Sequence, residues 1–149
     1  MKLEIRKVPE SEPEVVEIRY HWITDEVREL ISFVKSRQGQ LTASRDGKRF
    51  EVPVMDLFYA ESVDDRVFLY TARESYEIRM KLYELEDLLK NRHFLRVSKG
   101  MIVNLMKISS IRPALNGRFS AVLKNGEEII ISRKYVPALK QILKGGDAE

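Results

Sequence analysis

The sequence predicts a mostly β fold of the α+β class, in which antiparallel strands with short helices follow a small β-β-α segment. Three hairpin-type turns predict the β part, and they are Asp46-Gly47, Asn116-Gly117 and Asn125-Gly126. Short apolar runs at regular spacing flank these turns. The chain has 149 residues, 44% of them hydrophobic, which is enough to bury a real core. We expect residues 1–40 to form the N-terminal segment and residues 41–149 to form the β domain.

The N-terminal segment reads as two strands followed by a helix. Apolar residues alternate with charged ones at Leu3 and Ile5, and again at Val16, Ile18, Tyr20 and Trp22. A capping Thr24 and the acids after it start a helix, whose apolar positions recur at helical spacing until Gly39. A segment of this length cannot bury a core alone. We therefore expect its apolar faces to form a homodimer or to dock a regulatory protein.

The β domain is predicted from a series of short strands. They cover residues 41–44, 49–54, 57–62, 67–72, 76–80, 94–97, 101–103, 108–115, 118–123 and 128–131. Leucines at helical spacing predict a helix over 82–89, and a second helix is predicted over 135–143. We expect Asn104 to close a strand end through hydrogen bonds to the backbone. So many short strands indicate a sandwich or barrel-like arrangement.

Several classes of function lack a basis in this sequence. The chain has no cysteine, which excludes disulfides, thiolate zinc sites and a cysteine nucleophile. Its two histidines, His21 and His93, do not stand in a metal-ligand spacing, and no glycine-rich phosphate loop occurs. We therefore expect no enzyme activity, no metal and no cofactor. No apolar run approaches the roughly 20 residues of a membrane span, so we expect a cytoplasmic protein without direct membrane insertion.

Positive charge is concentrated in the C-terminal part of the chain. The formal net charge of the whole chain is only +3. Residues 91–144, however, contain eleven Lys and Arg against two acids, Glu127 and Glu128. A local excess of this size favours a polyanion as partner, although a solvated basic face without a ligand would give the same count.

Three basic stretches lie where strands meet loops. The first is residues 61–66, which end in Arg66. The second runs from Phe94 to Asn104 as Phe-Leu-Arg-Val-Ser-Lys-Gly-Met-Ile-Val-Asn, and the third is Ile131-Ser132-Arg133-Lys134-Tyr135. Together with the run Leu-Phe-Tyr-Ala-Glu-Ser at 57–62, their order and spacing resemble the LytTR family of DNA-binding domains. The resemblance spans roughly residues 41–144. The chain differs from the common family pattern at Ser98 and Gly100, where His and Ser are frequent.

The resemblance implies an elongated, mostly antiparallel β fold and a bacterial-type transcription regulator. It implies that loops enter successive major grooves of double-stranded DNA, so duplex DNA is the expected partner. The expected DNA-binding residues are Arg66, Arg96, Ser98, Lys99, Ser132, Arg133 and Lys134. Arg and Lys can bind guanine O6 and N7 or phosphate, which agrees with these roles. We expect a stand-alone regulator, since residues 1–40 are too few for a receiver domain.

Two other functions compete with this interpretation. The chain could be a β-rich interaction or oligomerisation module whose basic face is incidental. It could also bind RNA, but RNA modules usually expose aromatic side chains on a sheet for base stacking. The aromatic residues here follow core-like strand patterns, which disfavours RNA; they are Phe58, Tyr59, Phe68, Tyr70 and Tyr76.

Overall fold

The computed structural model describes residues 1–147, in which antiparallel strands form a seven-stranded sheet and a three-stranded sheet. The larger sheet has the order β2-β1-β5-β4-β3-β7-β6. Its strands are β1 (Gln40–Arg45), β2 (Lys48–Pro53), β3 (Tyr59–Val63), β4 (Arg66–Tyr70), β5 (Ser75–Ile78), β6 (Phe94–Ser98) and β7 (Met101–Asn104). The smaller sheet has the order β10-β9-β8 and contains β8 (Ile108–Pro113), β9 (Phe119–Leu123) and β10 (Glu128–Ile131). The helices are α1 (Asp25–Arg37), α2 (Leu82–Leu88) and α3 (Val136–Asp147). The predicted fold class is confirmed.

Two hydrophobic cores lie on opposite faces of the larger sheet. Side chains alternate across a strand, so neighbours such as Tyr59 and Ala60 enter different cores. The first core packs the sheet against the leucines of α2 and includes Leu69 and Leu85, both fully buried. The second core joins the other face to the smaller sheet and to α3, with Ile131 and Leu139 fully buried. The two sheets are therefore held together by shared apolar burial.

A polar contact also joins the two sheets. The hydroxyl of Tyr59 on β3 donates to Oε2 of Glu127 in the β9–β10 turn at 2.7 Å, and the Tyr59 ring stacks on Tyr70. Burial of the Tyr59 side chain and the neighbouring Glu127 carboxylate both raise the pKa of the phenol. Asn104 closes the end of β7 as predicted, because its amide donates to the Leu57 carbonyl and accepts from the Met106 N–H.

Helix α1 packs against the larger sheet. Its N-cap is Thr24, whose hydroxyl accepts the Val27 N–H at 3.2 Å, as the sequence predicts. Near its end, Lys35 donates to Thr42 on β1 and to Glu51 on β2. These contacts fix the helix across the β1–β2 hairpin.

The two strands predicted before α1 are absent from the described chain, so this part of the β-β-α prediction is wrong. The described backbone before Thr24 makes one hydrogen bond of its own, the turn from the Glu12 N–H to the Pro9 carbonyl. Almost every side chain there is exposed. Alternation alone does not make a strand, because an isolated two-stranded hairpin is marginally stable without a surface to cover. Among residues 1–147, no strand pairs with residues 1–23, and their side chains stay mostly exposed.

None of the described helices is long and apolar enough to cross a membrane.

Candidate nucleic-acid interface

Four connections between elements meet along one edge of the molecule, where the antiparallel register places them. Val63 pairs with Arg66 at the β3–β4 turn, and Ser98 pairs with Met101 at the β6–β7 turn. The Ser62 N–H donates to the Gly100 carbonyl at 2.8 Å, which joins these two turns. The β10–α3 junction lies next to the β6–β7 turn, on the side away from the β3–β4 turn. The β8–β9 turn lies beyond the junction. We call this row of four connections the recognition edge.

Backbone hydrogen bonding also fixes the β10–α3 junction beside β6. The Ser132 N–H donates to the Val97 carbonyl at 2.8 Å, although the two strands belong to different sheets. Residues Arg133–Tyr135 then form one turn of 3-10 helix, and α3 starts directly afterwards. Buried Val136 and Leu139 anchor this start in the second core. The backbone that carries Arg133 and Lys134 is thus held from both sides.

The β6–β7 turn is fixed internally by Arg96. Its Nη1 donates to Oε1 of Glu86 on α2 at 2.8 Å, and its Nε donates to the Ser98 carbonyl at 2.8 Å. Its Nη2 donates to the Lys99 carbonyl. The Arg96 side chain is 18% exposed. A guanidinium that crosslinks α2 to two carbonyls of the turn fixes the turn's shape.

Lys99 lies at the tip of that turn and is exposed. Within the part of the chain that the structure describes, no carboxylate forms an ion pair with Lys99, Arg133 or Lys134. Ser98 and Ser132 are half-buried beside them, and the Ser98 hydroxyl accepts the Gly100 N–H at 3.3 Å. Five of the seven residues predicted to bind DNA therefore meet here: Ser98, Lys99, Ser132, Arg133 and Lys134.

The β3–β4 end of the recognition edge has a different electrostatic character. Asp64 and Asp65 form the turn, both with positive φ, and Arg66 follows them. Arg66 makes a two-point contact with Glu77 on β5, at 3.0 Å from Nε and 2.6 Å from Nη2. The hydrogen bond from Arg66 lowers the pKa of Glu77. The structure thus places Arg66 on the predicted edge, but with its charge already matched by a carboxylate.

The β8–β9 turn, for which the sequence predicts no binding residue, lies beside Arg133. A Cβ added to Gly117 would stand 3.0 Å from Cδ of Arg133, so the turn backbone and the arginine stem are in close contact. Leu115 and Arg118 of this turn are exposed. The sequence contains a pattern that could have identified this turn as a candidate site, since Asn116-Gly117 is a turn motif followed directly by an arginine. Glu86 was also missed, because its contact with Arg96 depends on how α2 packs.

Two comparisons with known proteins match this chain to the same kind of domain. The family model of the LytTr DNA-binding domain matches residues 47–144 of this chain. A solved LytTr DNA-binding domain from Bacillus cereus superposes with a TM-score of 0.67 at 25% identity, covering 70% of this chain and 96% of that one. All four connections of the recognition edge lie within the residues that the family model matches.

Similar sequences are found in bacterial proteins. The transcriptional regulatory protein YpdB of Escherichia coli is 34% identical over 100 residues, which cover 66% of this chain and 41% of that protein. The sensory transduction protein LytT of Bacillus subtilis is 33% identical over 92 residues, or 62% of this chain and 38% of that protein. The matched region is therefore less than half of these relatives. An uncharacterized HTH-type transcriptional regulator of Staphylococcus aureus is 26% identical over 145 residues, covering 96% of this chain and 98% of that protein.

Proposed function

The chain belongs to the LytTR family of DNA-binding domains, and from that premise we propose that it is a sequence-specific regulator of transcription that binds double-stranded DNA through its recognition edge. One observation carries the proposal. Lys99, Arg133 and Lys134 project from neighbouring connections whose backbones are fixed by hydrogen bonds, and no described carboxylate pairs with them. Cations held in this way can meet phosphates and base edges without first breaking an ion pair.

The residues of the edge are proposed to play different roles. Lys99 and Arg133 reach base edges, where guanine O6 and N7 accept hydrogen bonds from Lys or Arg. Lys134 binds phosphate, and the hydroxyls of Ser98 and Ser132 contact the backbone of the duplex. Arg96 acts through Lys99, because its three donors already hold the β6–β7 turn. Arg66 contributes least, since Glu77 matches its charge.

The size of the recognition edge suits two neighbouring major grooves. Within the larger sheet, where strands lie roughly 4.8 Å apart, two strand spacings separate the β3–β4 turn from the β6–β7 turn, and the β10–α3 junction and the β8–β9 turn extend the edge further. Long cationic side chains extend this reach toward the roughly 34 Å between successive major grooves on one side of a duplex. We therefore propose that loops of the edge enter successive major grooves. Because the proposed partner is duplex DNA, the proposed location is the bacterial cytoplasm.

Binding to a duplex selected from a random pool, measured at several salt concentrations, tests the proposal. We expect the slope of log K against log salt to be about −0.9 for each phosphate neutralised. Lys99→Ala and Arg133→Ala should each weaken specific binding by about 1–3 kcal/mol. Lys48→Ala is the matched control, because Lys48 begins β2 directly after the β1–β2 turn, at the opposite ends of the strands. Equal affinity of all four proteins would overturn the assignment of the edge.

We also propose that two copies of the chain assemble through the N-terminal segment. This segment exposes apolar side chains that nothing in the described chain covers; among them Trp22 is 73% exposed and Phe33 on α1 is 55% exposed. Burying two large aromatic residues per copy would contribute several kcal/mol to association. A regulatory protein at the same surface is the competing proposal.

Sedimentation tests whether the partner of this surface is a second copy of the chain or a regulatory protein. The double variant Trp22→Ser, Phe33→Ser should be monomeric at concentrations where the natural chain is a dimer. Tyr83→Ser removes an aromatic residue of α2 that is 69% exposed, and it should leave the dimer intact. A natural chain that is monomeric at micromolar concentration would contradict self-association. A dimer should also select two half-sites about one helical turn apart.

A further inference from the structure

The β8–β9 turn is an exposed projection of the recognition edge without an assigned role. Asn116 and Gly117 adopt left-handed conformations, with φ values of 61° and 75°, and the Ala114 N–H donates to the Arg118 carbonyl at 2.9 Å. This turn geometry presents residues 115–118 to solvent. Leu115 is 84% exposed, among the most exposed large apolar side chains outside residues 1–24. An aliphatic side chain this exposed at the tip of the turn is accessible to a partner.

The turn is in contact with a residue proposed to bind DNA. Cγ and Cδ of Arg133 lie 3.2 Å and 3.0 Å from the position that a Cβ of Gly117 would take. Only a glycine lets the turn backbone approach the arginine stem so closely. The turn therefore lies directly beside the Arg133 side chain.

The charge of this region also favours a nucleic acid. No acidic residue occurs between Asp87 and Glu127, while that interval contains Lys99, Arg112 and Arg118 among its cations. Within the described chain, no carboxylate forms an ion pair with Arg118. Arg112 differs, since its guanidinium lies 4.0 Å from Glu128. Arg118 is therefore the cation of this hairpin that is available to a phosphate.

We infer that the β8–β9 turn is a fourth DNA-contacting element, in which Arg118 binds a phosphate and Leu115 packs against the methyl group of a thymine in the major groove. This inference rests on the proposed function. Contact with the thymine methyl is the base-specific contact that an aliphatic side chain can make. A phosphate held by Arg118 would fix the register of the groove that Arg133 enters.

Two variants of equal charge test the phosphate contact. Arg118→Ala should reduce the salt slope by about 0.9, as expected for one lost phosphate contact, and weaken binding to all sequences alike. Lys124→Ala removes one charge from the same sheet, but in the β9–β10 turn at the opposite edge. It should leave the slope unchanged. Equal slopes for both variants and the natural chain would overturn the role of Arg118.

Replacing thymines by deoxyuridine, one at a time, tests the role of Leu115. The natural chain should lose affinity a few-fold at one thymine near the contact of Arg133, because the base loses only its methyl group. Leu115→Ala should bind the thymine and uracil duplexes equally at that position. A uracil effect that persists in Leu115→Ala at every thymine would overturn the contact. Lys99→Ala in the same assay tests the proposed function separately: if it loses affinity while Arg118→Ala and Leu115→Ala do not, only the fourth element is wrong.

Discussion

The two ends of the recognition edge differ in how their cations are held. At the end formed by the β10–α3 junction and the β8–β9 turn, Arg133 packs its stem against Gly117 and its guanidinium has no described carboxylate partner. At the β3–β4 end, Arg66 is bound by both oxygens of Glu77 and follows two aspartates in the turn. We propose that pairing, more than the number of cations, determines which part of the edge can neutralise phosphates.

The β6–β7 turn lies between these ends and combines both properties. Arg96 is paired with Glu86 and is mostly buried, whereas Lys99, three residues later, is exposed and has no described partner. The paired arginine shapes the turn, and the unpaired lysine is presented by it. A charge that is matched within the protein can thus still serve binding, by holding another charge in place.

Arg96 should give the largest effect among the variants that test this division. Arg96→Lys keeps the charge but cannot reach three acceptors, so the β6–β7 turn loses its crosslink to α2. We expect binding of the selected duplex to weaken tenfold or more, about 1.4 kcal/mol or above. Hydrogen exchange at Lys99 and Gly100 should become faster in the same variant, which reports the loosened turn.

Glu86→Gln decides between positioning and direct contact by the sign of its effect. If Arg96 positions the turn, losing the charged partner loosens the turn and weakens DNA binding. If Arg96 instead binds phosphate, the same change releases its charge and strengthens binding. Glu84→Gln is a control on the same helix, because its carboxylate caps the Lys81 N–H and lies outside the Arg96 network.

Gly117→Ala should give the next largest effect. The added methyl group would stand 3.0 Å from Cδ of Arg133, so the arginine must move. We expect DNA binding to weaken several-fold through the displaced guanidinium. Gly126→Ala carries a similar backbone strain, with φ of 91°, but its added methyl group meets no atom within 4 Å. Both variants should lose roughly 1–2 kcal/mol of folding stability, measured by denaturant unfolding, whereas only Gly117→Ala should lose DNA affinity. Equal affinity losses would show that backbone strain, rather than Arg133, is responsible.

The sequence predicted local features well and long-range partners poorly. The hairpin turns at Asp46-Gly47, Asn116-Gly117 and Asn125-Gly126 follow from residues that tolerate positive φ, and all three turns form. The strands before α1 were wrong because their stability depends on a covering surface that the pattern does not reveal. The contact of Arg96 with Glu86, ten residues away on α2, depends on how the helix packs. The sequence therefore could not show that Arg96 holds the turn while Lys99 stays exposed.

The aspartates of the β3–β4 turn should have a smaller effect of opposite sign. Asp64 and Asp65 stand on the recognition edge, where they repel phosphate. The double variant Asp64→Asn, Asp65→Asn should bind duplex DNA a few-fold more tightly at low salt, with a gain that shrinks as salt rises. Asn tolerates the left-handed conformation of both positions, so the fold should be unchanged. Asp46→Asn is the control in the β1–β2 turn at the opposite edge, with φ of 51°, and should have no effect.

Arg66 should give the smallest effect of all. Its contact with Glu77 is exposed, and surface ion pairs contribute little to stability. Arg66→Ala removes one positive charge and uncovers one negative charge, so we expect duplex affinity to fall about twofold or less at moderate salt. Glu77→Gln makes the opposite change, because it frees the Arg66 guanidinium, and should raise affinity by a similar factor.

The pairing of Arg66 with Glu77 also sets a pH dependence. The pKa of Glu77 is lowered in the fold, so the pair is intact above the usual range of a carboxyl and is lost as the pH falls through the lowered pKa. The gain from Glu77→Gln should therefore be constant from neutral pH down to about pH 5 in binding titrations. A tenfold loss in Arg66→Ala would reverse the comparison, since the paired arginine would then contribute as much as the unpaired Arg133.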